Sequence, residues 1–190
     1  MVKFGNVEVL RNAPPIKGLN SFEGILEGIE KLGHKRRRVE PGKKFEIIYK
    51  PSEDSDIVLQ IDEEEYLPTE LFVNSMCRHF GIPLGYAKKI STELLLENIN
   101  RRRLVMSEFD LVYRNNEAIA IVKSSFEPFN LEKLFSITKE YTKDCEIKQS
   151  TLDDSGLYIE ILSRNKSIEI SGDTFDFGVV ISSSDTARFA

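Results

Sequence analysis

Two cysteines, two histidines and no tryptophan leave this chain of 190 residues with few of the side chains that staple, ligate or anchor. A zinc site has almost no ligands to draw on. The one His-Cys proximity, Cys77 and His79, sets residues two apart on an expected helix, about 200° around its axis, so joint coordination is disfavoured. Both cysteines read as buried thiols, one on a helix face and one at a strand start, and no disulfide is expected without an export signal. Apolar runs such as Ile119 to Val122 and Val179 to Ile181 fall far short of the roughly 20 residues that cross a bilayer, so no membrane contact is expected. Net positive charge is lacking as well. Against 31 acidic residues stand 26 lysines and arginines, a formal charge of −5, which excludes indiscriminate coating of phosphate backbones and confines nucleic-acid contact to local basic patches.

The usual catalytic signatures are also missing. There is no Gly-x-Ser-x-Gly elbow, and Cys77 has no base partner evident in the sequence. Gly42-Lys43-Lys44 precedes an expected strand and lacks the earlier glycine and the following Ser or Thr of a phosphate-cradling loop. Met1-Val2-Lys3-Phe4-Gly5 turns polar without the apolar stretch and cleavage site of a secretory signal, so the expected location is cytoplasmic. No catalytic residue, no metal and no cofactor is expected.

What is present is enough apolar material for one core: 41% of residues are hydrophobic and 30% charged. The expectation is a single α+β domain over 1–190, with 1–20 as an extended arm broken by Pro14-Pro15 and Gly18. Ser21 reads as the cap of a helix carrying Ile25, Leu26, Ile29 and Leu32, closed by Gly33 and weakened by Gly24 and Gly28. A basic turn, His34 to Arg38, follows. Phe45–Tyr49 and Ile57–Ile61 read as a hairpin, and the acidic run Asp62 to Glu65 leads to a helix opened at Pro68-Thr69, with Phe72, Met76 and Phe80 on one face. Short helices are expected at Tyr86 to Ile90 and after Ser91, then strands 109–113 and 119–121 about Asn115-Asn116, and a helix capped by Asn130 with the stripe Leu131, Leu134, Phe135, Tyr141. Strands at about 146–152, 157–163, 167–171 and 174–181 complete the reading. The fold class is thus α+β: antiparallel hairpins or a mixed sheet, with a helical middle segment packed on it. On the last strand Phe175, Phe177, Val179 and Ile181 face one way, and their cover must come from the chain's own helices or from a neighbour.

Two basic clusters are the strongest local signals, Lys35-Arg36-Arg37-Arg38 and Arg101-Arg102-Arg103, because phosphate contacts supply most nonspecific nucleic-acid affinity. The competing reading is structural: a solvated turn for the first, and compensation of a helix C-terminus for the second. Tyr113 and Phe126 would stack bases if exposed beside them, although aromatics on alternating strands more often fill a core. Carboxylates cluster at Asp62 to Glu65, at Asp153-Asp154 and at Asp173 with Asp176, where the ordinary reading is solvated surface and the sharper one a divalent-ion hydrolase.

Several stretches resemble a domain-of-unknown-function family of phage- and plasmid-like proteins. They are Leu71 to Tyr86 with Phe80-Gly81-Ile82-Pro83, Glu97 to Arg114, Val122 to Phe135 with Ser124-Ser125-Phe126-Glu127-Pro128-Phe129-Asn130, and Ile170 to Ala187 with Ser171-Gly172-Asp173 and Ser182-Ser183-Ser184-Asp185. The resemblance covers about residues 66–187 and departs at Ser183, where an asparagine is expected, and in stopping soon after the Gly-Asp strand. It implies origin in a mobile element and a role beside replication or recombination, with no catalytic residues to carry over. The leading expectation is therefore a non-enzymatic phage or plasmid protein binding single-stranded nucleic acid through its arginine clusters. The alternatives are a structural or interaction protein of a virion or assembly, with a protein partner or homo-oligomer, and a hydrolase using Asp173 and Asp176 with a metal ion.

Overall fold

Alternating apolar residues near the N-terminus form a hairpin in the computed structural model, which describes residues 1–40, 45–102, 108–128, 130–184 and 186. Strand β1 (Val2–Phe4) pairs antiparallel with β2 (Val7–Val9), and Phe4, Val7 and Val9 are buried. The chain groups into two compact units, Met1–Ala13 with His34–Phe126, and Pro14–Gly33 with Glu127–Ala190. Each combines helices with antiparallel strands, and the fold is α+β.

The first unit is built on a six-stranded sheet. Its strands are β4 (Lys35–Val39), β5 (Phe45–Tyr49), β6 (Ile57–Ile61), β7 (Glu64–Pro68), β8 (Phe109–Arg114) and β9 (Glu117–Lys123), in the order β4-β8-β9-β7-β6-β5. All pairs are antiparallel except β7 with β9. Helix α2 (Glu70–His79) begins as the sequence suggests: the Thr69 hydroxyl accepts from the Phe72 N–H at 3.2 Å and donates to the Ala118 carbonyl at 3.0 Å, tying the helix start to β9. Phe72 and Met76 are fully buried, joined in one core by Leu95 and Ile99 of α4 (Thr92–Arg102), while the short α3 (Leu84–Ala87) buries Ala87. Two sequence expectations are corrected here. Lys35 to Arg38 is not a turn but part of β4, because its backbone pairs in full register with β8, and tertiary pairing overrides the weak strand preference of a charged run. The acidic run is likewise a tight turn at Asp62, which takes φ 54°, followed by β7.

The second unit carries a four-stranded antiparallel sheet of β3 (Ile16–Lys17), β10 (Cys145–Asp153), β11 (Gly156–Ile170) and β12 (Asp173–Ser183), in the order β12-β11-β10-β3. Helix α1 (Phe22–Leu32) is capped by the Ser21 hydroxyl, which accepts from the Gly24 N–H at 3.0 Å, and ended by Gly33 in the left-handed conformation. Phe22, Ile25 and Leu32 pack with Phe135 of α5 (Leu131–Tyr141) over Leu157, Ile159, Ile161 and Ile181. Gly28 fits against Leu152, whose side chain a Cβ there would meet at 2.9 Å, so this glycine serves packing. Tyr141 leaves the α5 stripe and is 79% exposed.

The sequence reading divides residues 157–171 into two strands, whereas β11 runs through as one. Four of its residues, Ser163 to Lys166, oppose the single Phe177 of β12, since the register passes from Leu162–Gly178 to Ser167–Asp176. This bulge adds three residues to β11, an odd number, and side chains alternate faces with period two. The phase of β11 is therefore inverted beyond it. Ile168 and Ile170, which a straight strand would turn away from Ile159 and Ile161, come to the same face as Phe175.

Candidate interaction site

Five of the basic residues singled out by sequence, Arg36, Arg37, Arg38, Arg101 and Arg102, are drawn into internal contacts, and the geometry differs from one to the next. On β4, Arg36 donates to the Phe126 carbonyl at 3.0 Å and its guanidinium lies 5.2 Å from the centre of that ring. Arg37 faces Glu64 at 2.6 Å, the Tyr66 hydroxyl at 3.1 Å and Asp62 at 3.4 Å. Arg38 sits beside its register partner Asp110 at 3.1 Å and donates to the Ser124 carbonyl at 3.0 Å. These partners hold both guanidinium groups more firmly protonated than usual, through the Tyr66 hydrogen bond for Arg37 and the Asp110 carboxylate for Arg38. Lys35 is exposed at the start of the strand.

The second cluster is placed elsewhere. Arg101 pairs with Glu97 one turn earlier on α4 at 2.5 Å, and Arg102 donates to the carbonyl of Phe80, which closes α2. Arg102 thus complements a helix C-terminus, as expected, but that of α2 rather than its own. Arg103 lies outside the described residues, as do Gly42, Lys43 and Lys44. The two clusters occupy different ends of the strand order, since β4 is one edge and α4 packs on β5, the other.

The acidic groups do not converge either. Glu65 binds Lys50 at 2.7 Å, and Asp153 accepts from the backbone N–H groups of Ser155 and Gly156 in a turn. Asp173 and Asp176 are three apart on β12 and point to opposite faces of it. Cys77 is buried in the core of the first unit, where burial raises its thiol to about 11, while His79 rests against Phe80 and Phe109. An open cleft of about 550 Å³ in the second unit is lined by Ser21, Glu23, Cys145, Glu146, Lys148 and Arg164, with Glu23 bound to Lys139 and Glu146 3.6 Å from Arg164. Both of its acids are thus held by cations.

What stands out instead is the far end of the β11–β12 hairpin. Strand β10 stops pairing with β11 at Ser163, so the residues beyond form a two-stranded arm. Ser171 and Gly172 close it, both with positive φ, as a two-residue turn matching strand twist requires. The apolar stripe of the core runs on along this arm. Ile181 is 9% exposed under the helices, but Val179, Phe177, Phe175, Ile168 and Ile170 on the same face are about half exposed, as is Val180 behind them. Gly178 lets β12 approach β11 closely, since a Cβ there would lie 2.5 Å from the Ile161 carbonyl oxygen.

Of the four outer edges of the two larger sheets, three are protected by devices that keep strands from adding. β4 carries Lys35, Arg36, Arg37 and Arg38. β5 is covered by the Asn100 side chain, whose amide donates to the Ile47 carbonyl at 2.9 Å and accepts from its N–H at 3.2 Å. β3 is two residues long and follows Pro14-Pro15. β12 is less guarded: it is eleven residues long, without proline, lysine or arginine, its charges are Asp173 and Asp176, and no further strand pairs with it among the described residues. Asn100 and β12 are the features that sequence reasoning missed or half saw; the alternation Phe175, Phe177, Val179 was the signal for the second, and nothing local marks the first.

Comparison with protein-family models, with curated proteins and with solved structures finds no match.

Proposed function

We propose that this chain is a non-enzymatic assembly protein whose working surface is the outer rim of β12, with the apolar stripe beside it, and whose partner is an extended β-strand. The observation that carries this reading is the contrast among sheet edges: three are blocked, and the one left open is also the longest and exposes the most apolar side chains. Strand addition to such an edge draws affinity from main-chain hydrogen bonds and specificity from alternate side chains. Within a mobile element, as the resemblance implies, such a module fits a virion or assembly component. Single-stranded nucleic-acid binding through the arginines is less favoured by the geometry, because Arg37, Arg38 and Arg101 face carboxylates that a phosphate would have to displace.

Two labelled probes test the choice, applied to the purified chain in dilute solution: a short peptide of alternating valine and threonine, and a polythymidine strand. The expected result is saturable peptide binding that persists in molar salt and is lost when Phe175 and Phe177 are both changed to Lys. Absence of peptide binding, with salt-sensitive capture of the polythymidine that disappears on Arg101→Ala with Arg102→Ala, would overturn the assembly reading in favour of the nucleic-acid one.

A further inference from the structure

We infer that the strand taken up by β12 is the β12 of a second copy, paired antiparallel about a two-fold axis at Phe177. This rests on the assembly reading above and adds to it the identity of the partner and the register.

Symmetry and alternation narrow the possibilities. In an antiparallel pair related by a two-fold axis, the numbers of opposed residues sum to a constant, and opposed side chains share a face. An even sum sets odd residues against odd ones and makes the apolar stripe continuous across both copies; an odd sum would oppose residues of the two different faces, which a two-fold axis does not allow. Among even sums, centring on Asp176 opposes two like charges directly, and centring on Gly178 sets Asp176 against Val180. Centring on Phe177 opposes Phe177 with itself, Phe175 with Val179 and Thr174 with Val180. It also sets Asp176 against Gly178, which has no side chain to oppose it.

Pairing adds main-chain hydrogen bonds along β12 and brings Phe177 beside Phe177, and Phe175 beside Val179, of the second copy, cross-strand contacts between side chains that are about half exposed in the single chain. The pairing joins two four-stranded sheets into one of eight and leaves only the short β3 strands at its ends.

Cysteine trapping along β12 tests both partner and register. With Cys145 changed to Ser, single variants Phe175→Cys, Phe177→Cys, Val179→Cys and Val180→Cys are oxidised mildly and run without reductant, and the wild-type chain is examined by sedimentation velocity over a concentration series. Only residues opposed to themselves approach within disulfide reach, about 4.4–6.8 Å between Cα atoms. The expected result is a dimer for the wild-type chain, a near-complete cross-link for Phe177→Cys, at least tenfold less for the others alone, and recovery of cross-linking when Phe175→Cys and Val179→Cys chains are mixed. A dimer cross-linking best at another position would overturn the inference. So would a monomer at every concentration: if that monomer still binds the Val-Thr peptide, the assembly reading survives without self-pairing, and if it does not, both fall.

Discussion

At the scale of single residues, the sequence announces charge but not what charge is for. Arg37, Arg38 and Arg102 look alike in a basic run, yet one is held among Asp62, Glu64 and Tyr66, another opposes Asp110, and the third closes α2 through the Phe80 carbonyl. Their partners lie 22 to 72 residues away in sequence, beyond the reach of local pattern. Ser75 is similar: in a helix it reads as neutral, but it is buried, donates to the Phe72 carbonyl and accepts the Ile121 N–H at 2.9 Å, satisfying a backbone donor that would otherwise be orphaned. His79 is the residue whose environment leads to a measurable pH effect. Burial, and then the nearby charge of Lys123, lower its affinity for a proton below that of an ordinary histidine at 6.5. The unfolded chain therefore takes up the proton first as pH falls. The stability His79 contributes is complete above about pH 6.5 and is lost as pH drops through that value towards the lower folded one. Thermal unfolding followed by circular dichroism from about pH 7.5 to about 5.5 should show a falling midpoint, and His79→Asn should flatten that part of the curve. An unchanged slope in the variant would show that other groups carry it.

Elements were legible where their period was regular and their ends carried caps. Ser21, Thr69 and Asn130 mark the starts of α1, α2 and α5, and their side chains accept the hydrogen bonds that those positions require. Four strands escaped for physical reasons, β3 because its two residues sit in the Pro14-Pro15 and Gly18 break. β4 is almost wholly charged, so it shows no alternation, and β7 hides in an acidic run ending in proline. β11 looked interrupted at Arg164-Asn165-Lys166, because a bulge shifts the apolar phase and no local signal separates a bulge from a turn. The close approach of the arm strands at Gly178 makes the bulge testable. Gly178→Ala places a methyl group against the Ile161 carbonyl oxygen, which cannot yield without moving the strands apart, and against the end of the Leu162 side chain, which can turn aside. It should destabilise the chain by about 1–3 kcal/mol in urea unfolding. A neutral effect would mean that β12 lies further from β11 than the bulged register requires.

For the molecule as a whole, the open rim of β12 is the working surface we propose. The apolar residues of the second unit fill its core up to the root of the arm, and beyond it the same stripe continues uncovered among the described residues. Sequence reasoning reached the stripe and asked for a cover; it could not reach the contrast among edges, which needs the strand order. Backbone amides on an open rim exchange freely with solvent and become protected once a strand is added. Hydrogen exchange of the full chain, read by mass spectrometry at low and high protein concentration, measures this directly. Protection of residues 173–181 should rise with concentration while that of β4 and β5 stays constant. Protection in β12 that ignores concentration, or that rises equally on all three strands, would contradict the account.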